Sequence, residues 1–384
     1  MNILVAMDSL KGSLSSVEAN KAIAEGFSAI NSDFNIVTVP IADGGEGTVE
    51  ALVHATNGQF IEKIVTGPLG QPVNARFGIL GDKKTAVIEI AEACGLPLLS
   101  VEKRNPLLTT SFGVGELILE AVEQGCHDII IGLGGSATND AGVGMLQALG
   151  YQFFTLEGEL VGFSGDELKK IARIDTSAVP DQVKNLKFRV ACDVNNPLYG
   201  LNGAAYIYGP QKGATPEIVK ELDDGLRNFA AVVWEQVGKD LQQIPGAGAA
   251  GGLGAAFAGF LGAELESGVQ LILDYARLEE KLQGVNLTIT GEGKLDGQTS
   301  MGKAPAGIAD LSKKHGIPVI ALAGDISEGN PSLHESGITS YFTIVSGPVD
   351  LETAINPEVT RLNLRRTAEQ IGRFLIKFDF QLIH

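Results

Sequence analysis

The sequence predicts an α/β protein of two domains, on three observations. The stretch Ile129-Ile-Ile-Gly-Leu-Gly-Gly-Ser-Ala-Thr-Asn-Asp140, continuing to Gly150, runs from an all-apolar β-branched strand through a glycine turn into a helix. The same strand, glycine- and acid-bearing turn, helix pattern recurs near both ends of the chain. Finally, 384 residues exceed one ordinary core, and two intervals change texture.

Taken in order, Ile3 to Met7 reads as a buried strand ended by Asp8-Ser-Leu-Lys-Gly-Ser13, and Ser15-Ser-Val-Glu18 offers a capping box. Ile23, Phe27 and Ile30 give that helix its buried stripe. A second strand, Asn35 to Ile41, ends in Ala42-Asp-Gly-Gly-Glu-Gly-Thr48, where another helix begins. From Gln59 to Ser100, strand-like pieces at 61–66, 74–80 and 85–91 are split by turn residues, which predicts an antiparallel insert. Thr109-Thr-Ser caps a helix with Val114, Leu117, Ile118, Ala121 and Val122 on one face. In the stretch 129–150, Asn139 or Asp140 caps the helix carrying Val143, Leu146 and Leu149. Between Tyr151 and Gly284, 188–192 and 204–208 read as strands, and 216–237 and 253–261 as helices. Parallel texture returns with strands at 285–290, 318–323 and 340–345. The expected domains are 1–58 plus 106–150 plus 285–384, a discontinuous Rossmann-like parallel sheet, and 59–105 plus 151–284, an inserted mixed α/β domain, with the active site in the cleft between them.

Composition narrows the function. Forty-six acidic against 29 basic residues give a formal charge of −17, which repels phosphodiester backbones and anionic lipid, so neither nucleic acid nor membrane is an expected partner. Cys94, Cys126 and Cys192 are widely spaced and suit a reducing cytoplasm. The N-terminus has no basic region before Asp8 and reads as a strand, not a signal peptide. Residues 246–263 are uncharged, but fourteen of the eighteen are Gly or Ala, too weakly hydrophobic to span a bilayer.

Several constellations could carry chemistry. The turn at Gly132–Ser136 frees N–H groups for an anion, though Gly-Leu-Gly-Gly-Ser matches neither the dinucleotide fingerprint nor the Walker loop. Gly291-Glu-Gly-Lys-Leu-Asp-Gly-Gln-Thr-Ser-Met-Gly-Lys303 contains P-loop spacing from Gly297 to Lys303 and fails at Ala304, where Ser or Thr would meet Mg²⁺. Gly246-Ala-Gly-Ala-Ala-Gly251 follows a helix rather than a strand, so its glycines serve close backbone approach. Asp193 and Asn196 sit at a strand end, with Gly209-Pro-Gln-Lys-Gly213 beyond. Singly each is weak. Together, seven carboxylates (Asp8, Asp43, Glu46, Asp140, Asp193, Glu292, Asp296) accompany glycine turns, with Lys11, Lys212, Lys294 and Lys303 among them. Carboxylates for Mg²⁺, lysines for transferring oxygens and N–H nests for phosphates are what phosphoryl transfer needs. No Gly-x-Ser-x-Gly elbow or His-Glu-x-x-His occurs, which disfavours serine-hydrolase and zinc chemistry.

These motifs resemble type 1 glycerate kinases. The resemblance rests on Asp8-Ser-Leu-Lys-Gly-Ser-Leu14, Pro40-Ile-Ala-Asp-Gly-Gly-Glu-Gly-Thr48, Gly132-Leu-Gly-Gly-Ser-Ala-Thr-Asn-Asp140, Ala191-Cys-Asp-Val-Asn-Asn-Pro197, Gly209-Pro-Gln-Lys-Gly-Ala214, Gly246-Ala-Gly-Ala-Ala-Gly-Gly252 and Thr290–Lys303, spread in the expected order over nearly the whole chain. Leu10 stands where Phe is common. The resemblance implies Mg²⁺- and ATP-dependent phosphorylation of D-glycerate in the cytoplasm, in glyoxylate, glycerate or sugar-acid breakdown. Bacterial members generally resemble 2-kinases giving 2-phosphoglycerate; a 3-kinase, or a sensor that holds nucleotide without turnover, stays open, as does a homo-oligomer. On this reading Asp193, with Asp296 second, orients or deprotonates the hydroxyl. Lys11 or a set of glycine-turn N–H groups holds the substrate carboxylate, and Lys212 or Lys303 neutralises the transferred group. Substrate and nucleotide contacts are expected from Asp8, Ser13, Asp43, Gly44, Gly45, Gly134, Gly135, Ser136, Asn139, Asn196, Gly248, Gly251 and Gly291, and metal contacts from Asp43, Glu46, Asp140 and Glu292.

Overall fold

The computed structural model describes residues 1–297, 299, 303–327 and 332–377. Its strands run β1 (Asn2–Met7), β2 (Asn35–Thr38), β3 (Gln59–Thr66), β4 (Pro72–Ile79), β5 (Thr85–Glu89), β6 (Asp128–Gly132) and β7 (Gln152–Phe154). They continue as β8 (Arg173–Asp175), β9 (Lys187–Ala191), β10 (Glu264–Glu266), β11 (Leu287–Leu295), β12 (Val319–Ile326) and β13 (Ser340–Thr343). The fold is α/β, and the chain divides into two compact units: 1–43 with 50–56 and 269–384, and 44–49 with 57–268.

The first unit holds a five-stranded, wholly parallel sheet in the order β13-β12-β11-β1-β2. Its central strands are buried on both faces, which is why Ile3 to Met7 carries five successive apolar side chains with no exposed surface. The capping box of the following helix (Ser16–Ile30) forms as expected: Ser15 Oγ accepts from Glu18 N–H, and Glu18 Oε2 accepts from Ser15 N–H at 3.1 Å. That helix lies close against the C-terminal helix, Pro357–Lys377. A Cβ on Gly26 would stand 2.4 Å from the Arg365 carbonyl oxygen, so only glycine permits the approach. Strand order reverses direction between β1 and β11, which makes the carboxyl ends of those two strands the topological switch point of this sheet.

The second unit holds a six-stranded mixed sheet, β10-β9-β6-β5-β4-β3. Strands β10, β9, β6 and β5 are parallel to one another, and β5, β4 and β3 antiparallel. Strands β7 and β8 form a separate antiparallel pair. Ile129, Ile130 and Ile131 of β6 are essentially fully buried, as their β-branched run demands. Residues 106–150, expected in the first domain, instead contribute β6 to this second sheet, paired with β5 and β9. Both sheets contain parallel strands, so parallel texture does not distinguish their members; pairing partners distant in sequence do.

Two local expectations are corrected. Ala204–Tyr208 is a helix, not a strand, a short apolar run being ambiguous between the two. Strand β11 continues through Gly291-Glu-Gly-Lys-Leu295, so this is not the glycine loop expected after a strand ending at Thr290. The expected caps form in part: the helix Val143–Ala148 is preceded by Gly142 in the left-handed region (φ 72°), with Asp140 Oδ2 accepting from Gly144 N–H in its first turn at 3.3 Å, and Thr110 Oγ1 accepts from Phe112 N–H at 3.1 Å at the start of Phe112–Glu123, to which Ser111 itself makes no cap bond.

Candidate active site

At the switch point of the first unit, Asp8 follows β1 directly, and the register pairs Met7 with Gly291, so Glu292 lies beside it on β11. Both carboxylates are buried. Burial, then the charge of Asp43, raises the Asp8 carboxyl to about 7 in spite of the hydrogen bond it accepts from Ser9 N–H at 2.6 Å. Burial likewise raises Glu292, against Thr299 Oγ1, which donates to it at 2.7 Å, and Lys303 Nζ, 3.4 Å away. Thr299 Oγ1 also accepts from Asp296 N–H at 3.0 Å, and Lys303 lies 4.0 Å from the Asp296 carboxylate. Lys11 pairs with Asp43 at 3.1 Å; burial opposes its charge, but Asp43 outweighs it and holds the ammonium above its ordinary range. Ser13 Oγ donates to Thr360 Oγ1 at 2.7 Å.

Asp8, Ser9, Lys11, Ser13, Glu292, Lys303 and Thr360 line one pocket of about 880 Å³, together with Gly293, Gly324, Thr343, Val345, Gly347, Val349, Leu351 and Ile355. A pocket of this size accepts a nucleotide-sized ligand. Lys294 and Asp325 also line this pocket and pair at 2.9 Å, an exposed link between β11 and β12. Gly291 is a packing residue inside β11, where a Cβ would lie 1.8 Å from the Leu322 carbonyl oxygen. Of the P-loop-like stretch, 298 and 300–302 lie outside the described residues.

The second unit gathers a different set at the carboxyl ends of β5, β6 and β9, where Glu89, Gly132 and Ala191 stand in register. The turn after β6 is pinned by Leu96 N–H donating to the Gly135 carbonyl at 2.8 Å, with Gly135 at φ 73°. Glycines let a second loop lie against it: a Cβ on Gly134 would be 2.9 Å from Gly45 Cα, and one on Gly44 would be 2.6 Å from Gly268 Cα. Lys212, at the end of a short turn, reaches across 76 residues to donate to Ser136 Oγ at 2.8 Å and to the Thr138 carbonyl at 2.7 Å. It is 3% exposed, and burial pushes its ammonium down to about 8. Asn139 is fully buried, and neither atom of its amide has a hydrogen-bond partner among the described residues. A buried amide left so is costly unless something arrives to meet it.

Asp140, Asn196, Gly248 and Gly251 make contacts within the scaffold. Asp140, expected as a metal ligand, is fully buried and accepts four protein hydrogen bonds, from Ser111 N–H and Oγ (both 2.7 Å) and from the N–H groups of Gly142 and Gly144. Its lone pairs are committed to tying two loops together. Asn196, expected to bind substrate, donates to the Asn202 carbonyl and accepts from Tyr208 Oη at 2.7 Å. Gly248 and Gly251 pack against Pro197 and Thr138, whose carbonyls would sit 2.3 and 2.0 Å from an added Cβ. Asp193 is half-buried and accepts from Gly268 N–H at 3.0 Å. Glu46 is exposed.

Sequence reasoning missed Glu89. At the end of β5 it accepts from Val49 N–H at 2.8 Å and from Gly47 N–H, holding the loop that carries Gly44 to Thr48. Burial raises its carboxyl to about 7 despite these donors, with Glu92 and Glu46 adding to the rise. A lone glutamate at a strand end carries no motif; only its partners 40 residues upstream reveal the role.

Among the described residues no three His, Cys, Asp or Glu side chains form a ready-made metal cage. Magnesium does not need one, since it keeps waters and binds through one or two carboxylates plus substrate phosphates. The hard oxygen donors Asp8, Asp43 and Glu292, whose mutual repulsion raises Asp8, suit that mode.

Comparison with known proteins follows the geometry. A family model described as "Glycerate kinase family" matches residues 3–376. A protein named glycerate 2-kinase from Escherichia coli K12 is 49% identical over 92% of this chain and 93% of its own. A Bacillus cereus protein named glycerate kinase is 47% identical over 97% of each. A crystal structure from Salmonella typhimurium LT2, described as a candidate glycerate kinase 2, superposes with a TM-score of 0.90 at 42% identity, covering 99% of both chains.

Proposed function

The chain belongs to the glycerate kinase family of enzymes, and from that premise we propose that it transfers the γ-phosphoryl group of ATP to the 2-hydroxyl of D-glycerate, giving 2-phosphoglycerate and ADP. The regiochemistry is supported by the name of the E. coli relative. The observation that carries the phosphoryl-transfer reading is the pairing of Asp8 with Glu292 at the switch point, beside Lys11 and Lys303, in a pocket of nucleotide size.

In this proposal Asp8, Asp43 and Glu292 are the residues that would hold Mg²⁺. When bound, the ion supplies charge neutralisation on the phosphate oxygens. Lys303 and Lys11 contribute positive charge on the same side, Lys11 toward the glycerate carboxylate. Lys212, held to Ser136 and the Thr138 carbonyl, keeps one N–H direction for an oxyanion. The turn N–H groups of Gly134, Gly135 and Ser136, and the unmet amide of Asn139, offer hydrogen bonds to an anion. Asp193, with Asp296 second, orients the attacking hydroxyl or takes its proton. The three free cysteines suit a cytoplasmic enzyme, and among the described residues no helix is long and apolar enough to cross a membrane.

The test is glycerate-dependent ADP release, with the product identified by coupling to enolase with and without phosphoglycerate mutase. Signal without the mutase is expected. Signal only with it makes the enzyme a 3-kinase, and no ADP release with ATP still bound makes it a sensor. Asp193→Asn should lower kcat far more than it weakens ATP binding; wild-type turnover in that variant removes Asp193 from the mechanism.

A further inference from the structure

The first unit's pocket is not uniformly polar. Its charged groups stand at the ends of β1 and β11, whereas Val345, Val349, Leu351 and Ile355 line the part that follows β13. The sheet fixes the spacing: Glu292 pairs with Ala323, and Ala323 with Thr343, so the end of β13 lies two strands from Glu292, roughly 10 Å at 4.7–4.9 Å per strand. Three of the apolar side chains are unusually open, Val349 at 51%, Leu351 at 74% and Ile355 at 40% exposure. Clustered on one pocket, they leave apolar surface in water that a flat ligand would cover. Among the described residues nothing hydrogen-bonds the main-chain N–H and carbonyl groups of Ser346, Gly347 and Val349, and a Cβ on Gly347 would meet no atom within 4 Å. The segment therefore offers apolar contacts beside unclaimed donors and acceptors, and a charged end within reach.

We propose that residues 345–355 form the nucleobase subsite, which takes the purine ring of a nucleoside triphosphate whose phosphates lie toward Asp8, Lys11, Glu292 and Lys303. This rests on the kinase reading for the identity of the phosphate end. The ring lies against Val345, Val349 and Ile355, and its polar edge meets the main chain of 346–349. An anionic substrate without a ring, such as glycerate, has no use for this surface.

The test uses the full chain carrying Val349→Ser together with Ile355→Ser, and separately Gly347→Phe, which fills the space beside the loop. Titration calorimetry measures ATP and ADP affinity, steady-state kinetics measures KM for ATP and for glycerate, and sedimentation and thermal melting check assembly and folding. Both variants should melt as the wild type does, lose at least tenfold in affinity for ATP and ADP, and shift the glycerate KM less than twofold. Unchanged nucleotide affinity overturns the assignment, as does an equal loss for glycerate. A wild-type dimer that becomes monomeric in the variants at unchanged nucleotide affinity also overturns it, by showing that a second copy covers the patch. Wild-type turnover of glycerate with unaffected variants defeats the subsite and leaves the kinase reading standing. Selective loss of nucleotide binding in a protein that turns over no glycerate does the reverse.

Discussion

The two units treat charge in opposite ways. In the first, acids and lysines are matched: Lys11 with Asp43, and Lys303 with Glu292 and Asp296, with Lys11, Lys303 and Glu292 lining one pocket. In the second, a single ammonium, Lys212, is sealed from water with only a hydroxyl and a carbonyl as direct partners. Matched, open charges exchange ligands cheaply because water and counter-charges replace what leaves. A buried ammonium held by neutral groups costs stability and is worth keeping only for what it does to a ligand's charge.

The largest expected effect breaks or confirms that contrast. Lys212→Met should lower kcat about a thousandfold, in line with the ~3–4 kcal/mol that a preorganised donor contributes, while the melting temperature stays level or rises. The wild type carries a further signature. Its folded lysine releases a proton at about 8, and the unfolded one holds it to 10.5, so stability should rise as pH passes through that window, and Lys212→Met should lack the rise. A variant that is inactive because it is unfolded would instead make Lys212 a structural residue.

Next in size is the distinction between a ligand-binding carboxylate and a structural one. Asp140→Ala strands four buried donors and should cost about 3 kcal/mol or more, read by urea denaturation, while the Mg²⁺ dependence of the remaining activity stays as in the wild type. A changed Mg²⁺ dependence at unchanged stability would return Asp140 to the metal site.

The acids sharpen the comparison through pH. Asp8 and Glu89 are both raised to about 7, from 3.8 and 4.5. Each holds its proton more tightly folded than unfolded, so metal-free protein should lose stability as pH rises from about 4 to about 7 and level off above. At 1.36 kcal/mol per pKa unit the loss is on the order of 4 kcal/mol for Asp8 and 3 kcal/mol for Glu89. Asp8→Asn and Glu89→Gln should each flatten the slope. Mg²⁺ should flatten it only through Asp8, which sits beside Asp43 and Glu292; a Mg²⁺ response that persists in Asp8→Asn would locate the ion elsewhere. The smallest effect is Thr299→Val, which removes the hydroxyl shared by Glu292 and the Asp296 N–H and should cost about 1 kcal/mol, with a rise in KM for ATP exceeding any fall in kcat.

Elements whose cause is local were legible in the chain. The capping box at Ser15 and Glu18, the buried runs of β1 and β6 and the long helix Pro216–Val237 follow from side chains within a few residues of each other. Ala204–Tyr208 was not legible, because five apolar residues satisfy either period. The site was half legible. Asp8, Lys11, Asp43, Glu292 and Lys303 stand out as charges among glycines, and the fold brings them together. Asn196, Gly248 and Gly251 stand out in the same way yet lie against protein carbonyls and a tyrosine hydroxyl, because a polar side chain or glycine looks identical in sequence whether it meets a ligand or a neighbouring group.

By itself, then, the sequence determined the α/β class, the family and the chemical inventory, because periodicity, turn chemistry and motif spacing are properties of adjacent residues. Only the tertiary structure decided that β6 joins the mixed sheet, that Lys212 finds Ser136, that Asp140 is consumed by four donors and that Glu89 holds a loop 40 residues upstream. Strand pairing and buried hydrogen bonds are settled between distant segments by which arrangement leaves the fewest groups unpaired. No stretch of chain contains that comparison.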